Sequence, residues 1–240
     1  MNPKDLRPGK IIAVHMNYRS RAAERGRSPE NPSYFLKSPT TLSISGIPVV
    51  RPEGCELLAF EGEIALVLRD VPRNVPRDQA WAYVDYVTAA NDLGLYDLRY
   101  ADPGSNVHSK GFDGYTPVGP DLLIGASIDP RLLRVRTWVD GRLVQDADDS
   151  DLLFDASFVI ADLSRVTSLI AGDIILLGTP TGSSVIEPGS VVEVEVSAGA
   201  ASTGRLRSPI TQGSGPLPVV GAAPRADDSA REAAFGNSQL

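Results

Sequence analysis

Short apolar runs separated by proline, glycine or charge fill the first part of the chain. Residues 10–17 predict a buried strand, and the Arg- and Glu-rich residues 18–32 predict a short helix followed by a loop. Residues 34–52 form a second segment broken by proline and glycine. Residues 57–68 mix apolar residues with two acids, as a strand does. Residues 77–91 place apolar side chains at helical spacing and predict a helix.

The second half of the chain is rich in strand patterns. Residues 133–139 alternate apolar with polar positions, and Asp140-Gly141 predicts a two-residue hairpin turn. Helical spacing over residues 154–170 predicts a helix. Further strands are predicted over residues 142–145, 174–177 and 191–196. Many short strands and few helices indicate an α+β, β-rich fold.

The last segment, residues 201–240, has a different composition. It is dominated by glycine, alanine, serine and proline with scattered charge. Such a composition buries little apolar surface, so the sequence predicts a disordered tail.

Composition excludes several classes of protein. The 240 residues contain no apolar run long enough for a membrane span, and Cys55 is the only cysteine. A cytoplasmic protein that binds no membrane fits these facts. The net charge of −7 argues against nucleic-acid binding, which depends on basic surface. A carboxylate substrate would therefore need local positive charge at its site.

Two acids in one predicted strand are the first candidate for chemistry. Glu61 and Glu63 are two residues apart, which puts both carboxylates on the same face of a strand. A hard divalent cation would relieve their repulsion, because Mg²⁺ and Mn²⁺ prefer oxygen ligands. Spacing alone favours a solvent-facing strand edge with two ordinary acids. Asp92 ends a weakly polar stretch, and a single aspartate there is commonly a turn or cap residue.

Four motifs in order resemble the fumarylacetoacetate hydrolase superfamily. EGE at residues 61–63, followed by TAANDLGLYDLR at 88–99, resembles the metal motif of that family. NYRSRAAE at 17–24 resembles its lid segment, and KGFDGYTPVGP at 110–120 resembles its lysine-containing loop. GDIILLGTPTG at 172–182 resembles a further segment. Together the motifs span about residues 10–196.

The resemblance implies a metal site, a fold and an assembly. Mg²⁺ (or Mn²⁺) would be held by Glu61, Glu63 and Asp92. The fold would be a mixed β-sandwich or β-roll with helices at its edge, and the protein would be a homodimer acting on a small keto or enol acid. Residues 1–52 would then be an N-terminal segment with a lid-like loop, and residues 53–200 the catalytic core.

The resemblance also implies roles for individual side chains. Lys110 would bind a carboxylate or stabilise an enolate, and Glu24 and Arg21 are further catalytic candidates from the lid. The predicted substrate-binding residues are Thr179, Gln145, Asp113 and Arg19.

One departure from the family pattern changes the expected reaction. Arg21 stands where family hydrolases have a histidine, and arginine does not release its proton at neutral pH, so it cannot be a general base. It could clamp a second carboxylate instead, as could Arg19 or Arg99. This favours isomerisation or decarboxylation over hydrolysis. The loop at 109–117 also resembles that of bifunctional isomerase/decarboxylases of homoprotocatechuate breakdown.

Two alternatives stay open. An acylpyruvate or fumarylacetoacetate-type hydrolase would keep Glu24 and use His15 as a substitute base. A catalytically silent binding protein would keep the fold but have no need to hold three acids together.

Overall fold

A computed structural model describes residues 2–217 and 221–236 of the chain. The strands within these ranges are β1 Ile11–His15, β2 Ser33–Lys37, β3 Leu42–Ile44, β4 Val49–Glu53, β5 Leu58–Ala59, β6 Gly62–Leu68, β7 Val84–Asn91, β8 Gly94–Leu95, β9 Thr116–Ile124, β10 Leu133–Val139, β11 Arg142–Asp148, β12 Ile174–Leu176, β13 Val191–Ala198, β14 Ala201–Ser202 and β15 Leu206–Pro216. The helices are α1 Arg19–Glu24, α2 Arg77–Ala80, α3 Val107–Lys110, α4 Ala156–Val166 and α5 Asp228–Phe235. Among these described helices, none is long and apolar enough to cross a membrane.

Two sheets carry most of the strands. The first has seven strands in the order β2-β1-β12-β6-β7-β9-β3. The second has the order β11-β10-β13-β15-β4, with β14 added beside β13. A separate ribbon pairs β5 with β8. The predicted α+β, β-rich class with few helices is confirmed.

The first sheet is covered on both of its faces. On its inner face, Ile64 and Leu66 of β6 share a core with Val194 of the second sheet. On its outer face, Ala65 and Val67 of the same strand belong to a separate core. Because alternate residues feed two cores, all of β6 is buried, which explains its nearly continuous apolar run.

The predicted helix over residues 77–91 is wrong beyond its first turn. Helix α2 ends at Ala80, and β7 begins at Val84 and pairs antiparallel with β6. Val87 lies in the inner core and Ala90 in the outer core. Burial on both faces removes the alternation that marks a half-exposed strand, and the helical spacing of the apolar residues is incidental.

The predicted hairpin and the long helix are present. Asp140 and Gly141 both have positive φ, at 49° and 81°, as a two-residue hairpin turn between β10 and β11 requires. The predicted helix over 154–170 is shorter, because the Asp155 side chain caps α4 by accepting from the Phe158 N–H at 2.7 Å.

The structure differs from the expected disorder of residues 201–240. β15 pairs antiparallel with β13 and parallel with β4, which places it inside the second sheet. Leu206, Ser208 and Ile210 are its buried positions. This alternation of period two is present in the sequence but is masked by the surrounding serine, glycine and proline.

Helix α5 is the second ordered part of that segment. The Asp227 side chain caps it by accepting from the Ala230 N–H at 2.9 Å. Ala230 and Ala234 are buried against Leu57. Within the predicted tail, residues 218–220 and 237–240 lie outside the described residues.

Candidate active site

Three buried carboxylates converge at the end of two central strands. Glu61 directly precedes β6 and Glu63 lies in it, while Asp92 directly follows β7. The Asp92 N–H donates to the Glu61 carbonyl at 2.8 Å. One carboxylate oxygen from each residue lies within 4.8 Å of the others. The structure therefore brings together three residues that the sequence places in two separate motifs.

These carboxylates lie on the outer face of the first sheet, away from the second sheet. Glu63 shares its face with Ala65, a residue of the outer core. In β2, Lys37 lies two residues after Phe35 of the same core, so it faces the same side. His15, at the end of β1, reaches this region from the next strand.

Two lysines neutralise part of the negative charge. Lys110 Nζ, at the end of α3, donates to Glu61 Oε2 at 2.7 Å and to Asp92 Oδ2 at 2.6 Å. Lys37 Nζ forms an ion pair with Asp92 Oδ1 and donates to the Tyr115 carbonyl at 3.1 Å. Both lysines are buried. Lys110 occupies its predicted place, whereas Lys37 was missed.

The pKa values follow from this burial and pairing. Burial, reinforced by Asp92 and Glu61, raises the pKa of Glu63 well above its usual range. Burial opposes ionisation of Asp92, but Lys110 and Lys37 outweigh it and lower the pKa. Burial likewise disfavours charged Lys110, yet Asp92 and Glu61 raise its pKa. For Lys37, burial dominates and lowers the pKa. With all five groups ionised, three carboxylates would face two ammonium groups, and one negative charge would be uncompensated.

The donor set fits a divalent metal ion. Glu61, Glu63 and Asp92 supply oxygen ligands, which are what Mg²⁺ and Mn²⁺ prefer. Burial, followed by the neighbouring carboxylates, raises the pKa of Glu63, and a bound cation would stabilise its charged form. No cysteine or histidine belongs to this cluster among the described residues, as suits a hard cation better than a softer one.

The backbone of Gly178 orients the carboxylate of Glu63. The Gly178 N–H donates to Glu63 Oε2 at 2.6 Å. Gly178 has φ of +86°, and a Cβ there would lie 3.1 Å from both the Asn17 Cβ and the Val14 carbonyl oxygen. Asn17 in turn donates to the Leu177 carbonyl at 3.0 Å. The conformation of this turn therefore depends on glycine, and it orients Glu63 from the backbone.

A tyrosine and the lid segment lie beside Glu61. Tyr96 Oη donates to Glu61 Oε1 at 2.8 Å, a contact that the sequence did not reveal. Arg21 of α1 is 5% exposed and forms an ion pair with Glu24. Burial opposes the charge on Arg21, but Tyr96, Glu61 and Glu24 raise its pKa. Arg21 is thus a buried, permanently charged cation near the site.

His15 lies at the side of the site as a half-buried neutral imidazole. Its ring packs on Phe35 with centroids 4.5 Å apart, and Lys110 Nζ lies 5.8 Å from the same phenyl centroid. Asn106 Nδ2 donates to His15 Nε2 at 2.8 Å. Burial, followed by the charge of Lys110, lowers the pKa of His15.

Thr179 and Gln145 lie on the inner side of β6. Gln145 Nε2 donates to Thr179 Oγ1 at 2.9 Å, and Thr179 Oγ1 donates to the Gly62 carbonyl at 2.9 Å. Their predicted substrate contacts stay predictions, and their observed partners are protein atoms.

The remaining predicted residues lie further out. Arg19, Arg99 and Asp113 are exposed. Arg99 lies over the ring of Tyr96, 5.7 Å from its centroid. Among the described residues, none of the three hydrogen bonds to the clustered carboxylates.

Two residues at the centre of the site, Lys37 and Tyr96, escaped sequence reasoning. A weak signal existed for Lys37, because the chain has few lysines and this one continues the buried face of a strand after Phe35. Tyr96 follows the ribbon strand β8 in a short 3-10 turn, and nothing in its spacing marks it.

The chain is a strand-rich sandwich in which three carboxylates cluster at one end of β6 and β7, beside Lys37 of β2 and Lys110 of α3. Residues 10–211 match the family model described as fumarylacetoacetate (FAA) hydrolase C-terminal. The chain belongs to the fumarylacetoacetate hydrolase family.

One named protein and two solved structures show what this chain is similar to. The chain is 38% identical over 192 residues to a 4-hydroxyphenylacetate degradation bifunctional isomerase/decarboxylase of Escherichia coli, covering 78% of this chain and 44% of that protein. It resembles the crystal structure of a 5-carboxymethyl-2-hydroxymuconate delta-isomerase from Mycobacterium smegmatis, with TM-score 0.77 and 32% identity, covering 87% and 78% of the two chains. It also resembles a maleylpyruvate hydrolase from Sphingobium sp. SYK-6, with TM-score 0.72 and 30% identity, covering 86% and 72%. The chain thus spans less than half the length of the E. coli relative.

Proposed function

We propose that this chain is a divalent-metal-dependent enzyme that acts on a 2-keto or enol dicarboxylic acid, as an isomerase or a decarboxylase of aromatic-compound breakdown. The observation that carries the proposal is the buried set of Glu61, Glu63 and Asp92 with Lys110 bonded to two of them. The relatives named as isomerases and decarboxylases support the reaction class.

A cation held by the three carboxylates would supply Lewis-acid stabilisation of the negative charge that develops on a keto oxygen. Lys110 is a fixed positive charge, because Glu61 and Asp92 orient its ammonium group and raise its pKa. Its three N–H groups donate to Glu61 and Asp92, so it would bind a substrate carboxylate or the oxygen of an enolate by exchanging one of these bonds. Tyr96 fixes the second oxygen of Glu61. These groups preorganise charge where an enolate would form.

The lid residues fit a role in binding better than one in proton transfer. Arg21 keeps its proton and is already paired with Glu24. A neutral His15 can accept a proton near Lys110, since burial and that lysine lower its pKa. We therefore assign proton transfer to His15 and recognition of a distal carboxylate to Arg21.

Turnover of 2-hydroxyhepta-2,4-diene-1,7-dioate tests this function. With Mg²⁺ or Mn²⁺, its ultraviolet band should decay, EDTA should stop the decay, and added metal should restore it. Lys110→Met should slow turnover about 100-fold, as loss of a charge-stabilising donor does. The exposed Lys4→Met is the matched control. No turnover of this compound or of its tricarboxylate precursor would contradict the proposal.

Hydrolysis of an acylpyruvate is the runner-up, favoured by Glu24 and by the similar maleylpyruvate hydrolase. Release of pyruvate from an acylpyruvate, supplied in place of the dioate, would support it. The pairing of Glu24 with Arg21 instead of a histidine speaks against it. The predicted homodimer and cytoplasmic location rest on the sequence alone, and light scattering of the purified protein tests the former.

A further inference from the structure

Gly62 separates the two glutamates and faces the opposite side of the sheet from them. Its neighbours on that inner side are Thr137 of β10 and Gln145 of β11, which are direct cross-strand partners in the hairpin. A Cβ on Gly62 would lie 1.9 Å from Thr137 Oγ1 and 3.1 Å from Gln145 Oε1. Only glycine allows the second sheet to approach the backbone this closely.

Two side chains form hydrogen bonds with the backbone N–H and C=O groups of Gly62. Gln145 Oε1 accepts from the Gly62 N–H at 3.1 Å. Thr179 Oγ1 donates to the Gly62 carbonyl at 2.9 Å. Gln145 Nε2 then donates to Thr179 Oγ1 and to the Pro180 carbonyl, each at 2.9 Å. Gln145 and Thr179, which are hydrogen-bonded to each other and to Gly62, are called the bracket below.

The hydrogens of this bracket are committed to protein acceptors. Both amide hydrogens of Gln145 and the hydroxyl hydrogen of Thr179 have partners in the contacts just described. Both side chains are buried, Gln145 to 2% and Thr179 to 6% exposure. Neither can donate to a ligand without releasing its present partner, which would leave a buried polar group unsatisfied.

We propose that Gln145 and Thr179 are positioning residues that fix the backbone of Gly62 and thereby set the separation of the Glu61 and Glu63 carboxylates. The inference rests on the proposed metal-dependent function. A change in the backbone dihedral angles of Gly62 would reorient the side chains of Glu61 and Glu63, because these two residues flank it. The second sheet thus acts on the site through one glycine, from the face opposite the Glu61 and Glu63 carboxylates.

Mn²⁺ binding, measured by calorimetry and by electron paramagnetic resonance, tests the proposal on the full chain. Thr179→Val and Gln145→Leu remove the bracket with little change in volume. Each should weaken Mn²⁺ binding about 10-fold or more, as loss of supporting contacts around metal ligands does. Thr179→Ser keeps the hydroxyl and should restore most of the affinity. The exposed Gln79→Leu is the matched control.

The double variant adds a second criterion. Because both residues act on Gly62, its loss of affinity should be smaller than the product of the single losses. Variants that bind Mn²⁺ as tightly as the unchanged chain, but raise KM for the substrate, would overturn the proposal in favour of direct substrate contact. If Gln145→Leu fails to fold, Thr179→Val and Thr179→Ser decide the matter by the same criterion. Absence of Mn²⁺ binding by the unchanged chain would overturn the proposed function itself.

Discussion

The floor of the site and its rim are held in different ways. The floor consists of Glu61, Glu63, Asp92, Lys37 and Lys110, and all five side chains are buried and linked to strands or to backbone groups.

The rim consists of Arg21, Glu24, His15 and Asn106. Arg21 and Glu24 lie on the six-residue helix α1, and α5 packs on Leu57 and Tyr96. Two contacts link α5 to the end of α1: Arg25, directly after α1, donates to the Ala233 carbonyl, and a Cβ on Gly236 would lie 2.9 Å from Glu24 Oε1. The floor is fixed by the sheet, whereas the rim depends on two short helices from opposite ends of the chain. Changes in the floor should therefore affect chemistry, and changes in the Arg21–Glu24 part of the rim should affect binding and opening.

The largest expected effect follows from Glu63→Gln in the floor. Turnover with Mg²⁺ should fall about 1000-fold, because loss of a ligand forfeits several kcal/mol of charge stabilisation. In EDTA the same variant should melt no lower than the unchanged chain, because it removes like-charge repulsion among buried carboxylates. Steady-state rates and thermal melts measure both effects, with the exposed Glu53→Gln as control. Retained turnover would show that the reaction does not depend on the Glu63 carboxylate.

A smaller effect is expected from Arg21→Met in the rim. KM should rise about 10-fold with kcat nearly unchanged, because a charged hydrogen bond to the distal carboxylate is lost. Mn²⁺ affinity should not fall, since Arg21 donates to none of the carboxylates in the floor and its charge near Glu61 opposes a bound cation. Substrate titration and Mn²⁺ calorimetry separate the two quantities, with the exposed Arg142→Met as control. A fall in kcat alone would place Arg21 in the chemical step.

Ala234→Asp should loosen the rim while leaving the floor intact. A charge buried against Leu57 would weaken the docking of α5 by about 2 kcal/mol. Hydrogen exchange should then accelerate in α1 and spare β6 and β7, because local opening is confined to the weakest unit. Glu232→Gln, on the exposed side of α5, should show no change. Equal acceleration in the central strands would refute the separation of floor and rim.

The smallest effect is a pH dependence from His15. Burial and Lys110 lower its pKa in the folded state, with Glu61, Asp92 and Arg27 acting as further nearby charges. The unfolded chain then binds more protons as the pH falls through about 6.5, so the stabilisation from neutral His15 is present above that pH and lost below it. Melting temperatures of the unchanged chain should fall more steeply between about pH 7.5 and 5.5 than those of His15→Gln. Parallel curves would show that His15 does not titrate differently on folding.

Sequence reasoning identifies four of the five residues of the floor. Glu61, Glu63, Asp92 and Lys110 lie in motifs whose order could be recognised, and the structure brings them together. Lys37 was missed because a single lysine in a strand resembles a surface residue until the face it occupies is known.

The errors in the fold share one physical cause. The sequence of β7 predicts a helix because burial on both faces abolishes the alternation typical of a strand. β15 and α5 were expected to be disordered because their small residues become buried only against distant partners, β13 in one case and Leu57 in the other. Local composition does not contain those partners, so tertiary contacts decide these segments.

The most direct test of the account is a crystal of this protein soaked in Mn²⁺ and measured for anomalous scattering. The account predicts one strong peak among the carboxylates of Glu61, Glu63 and Asp92, which should vanish in Glu63→Gln. A peak elsewhere, or density for these side chains turned away from one another, would contradict it.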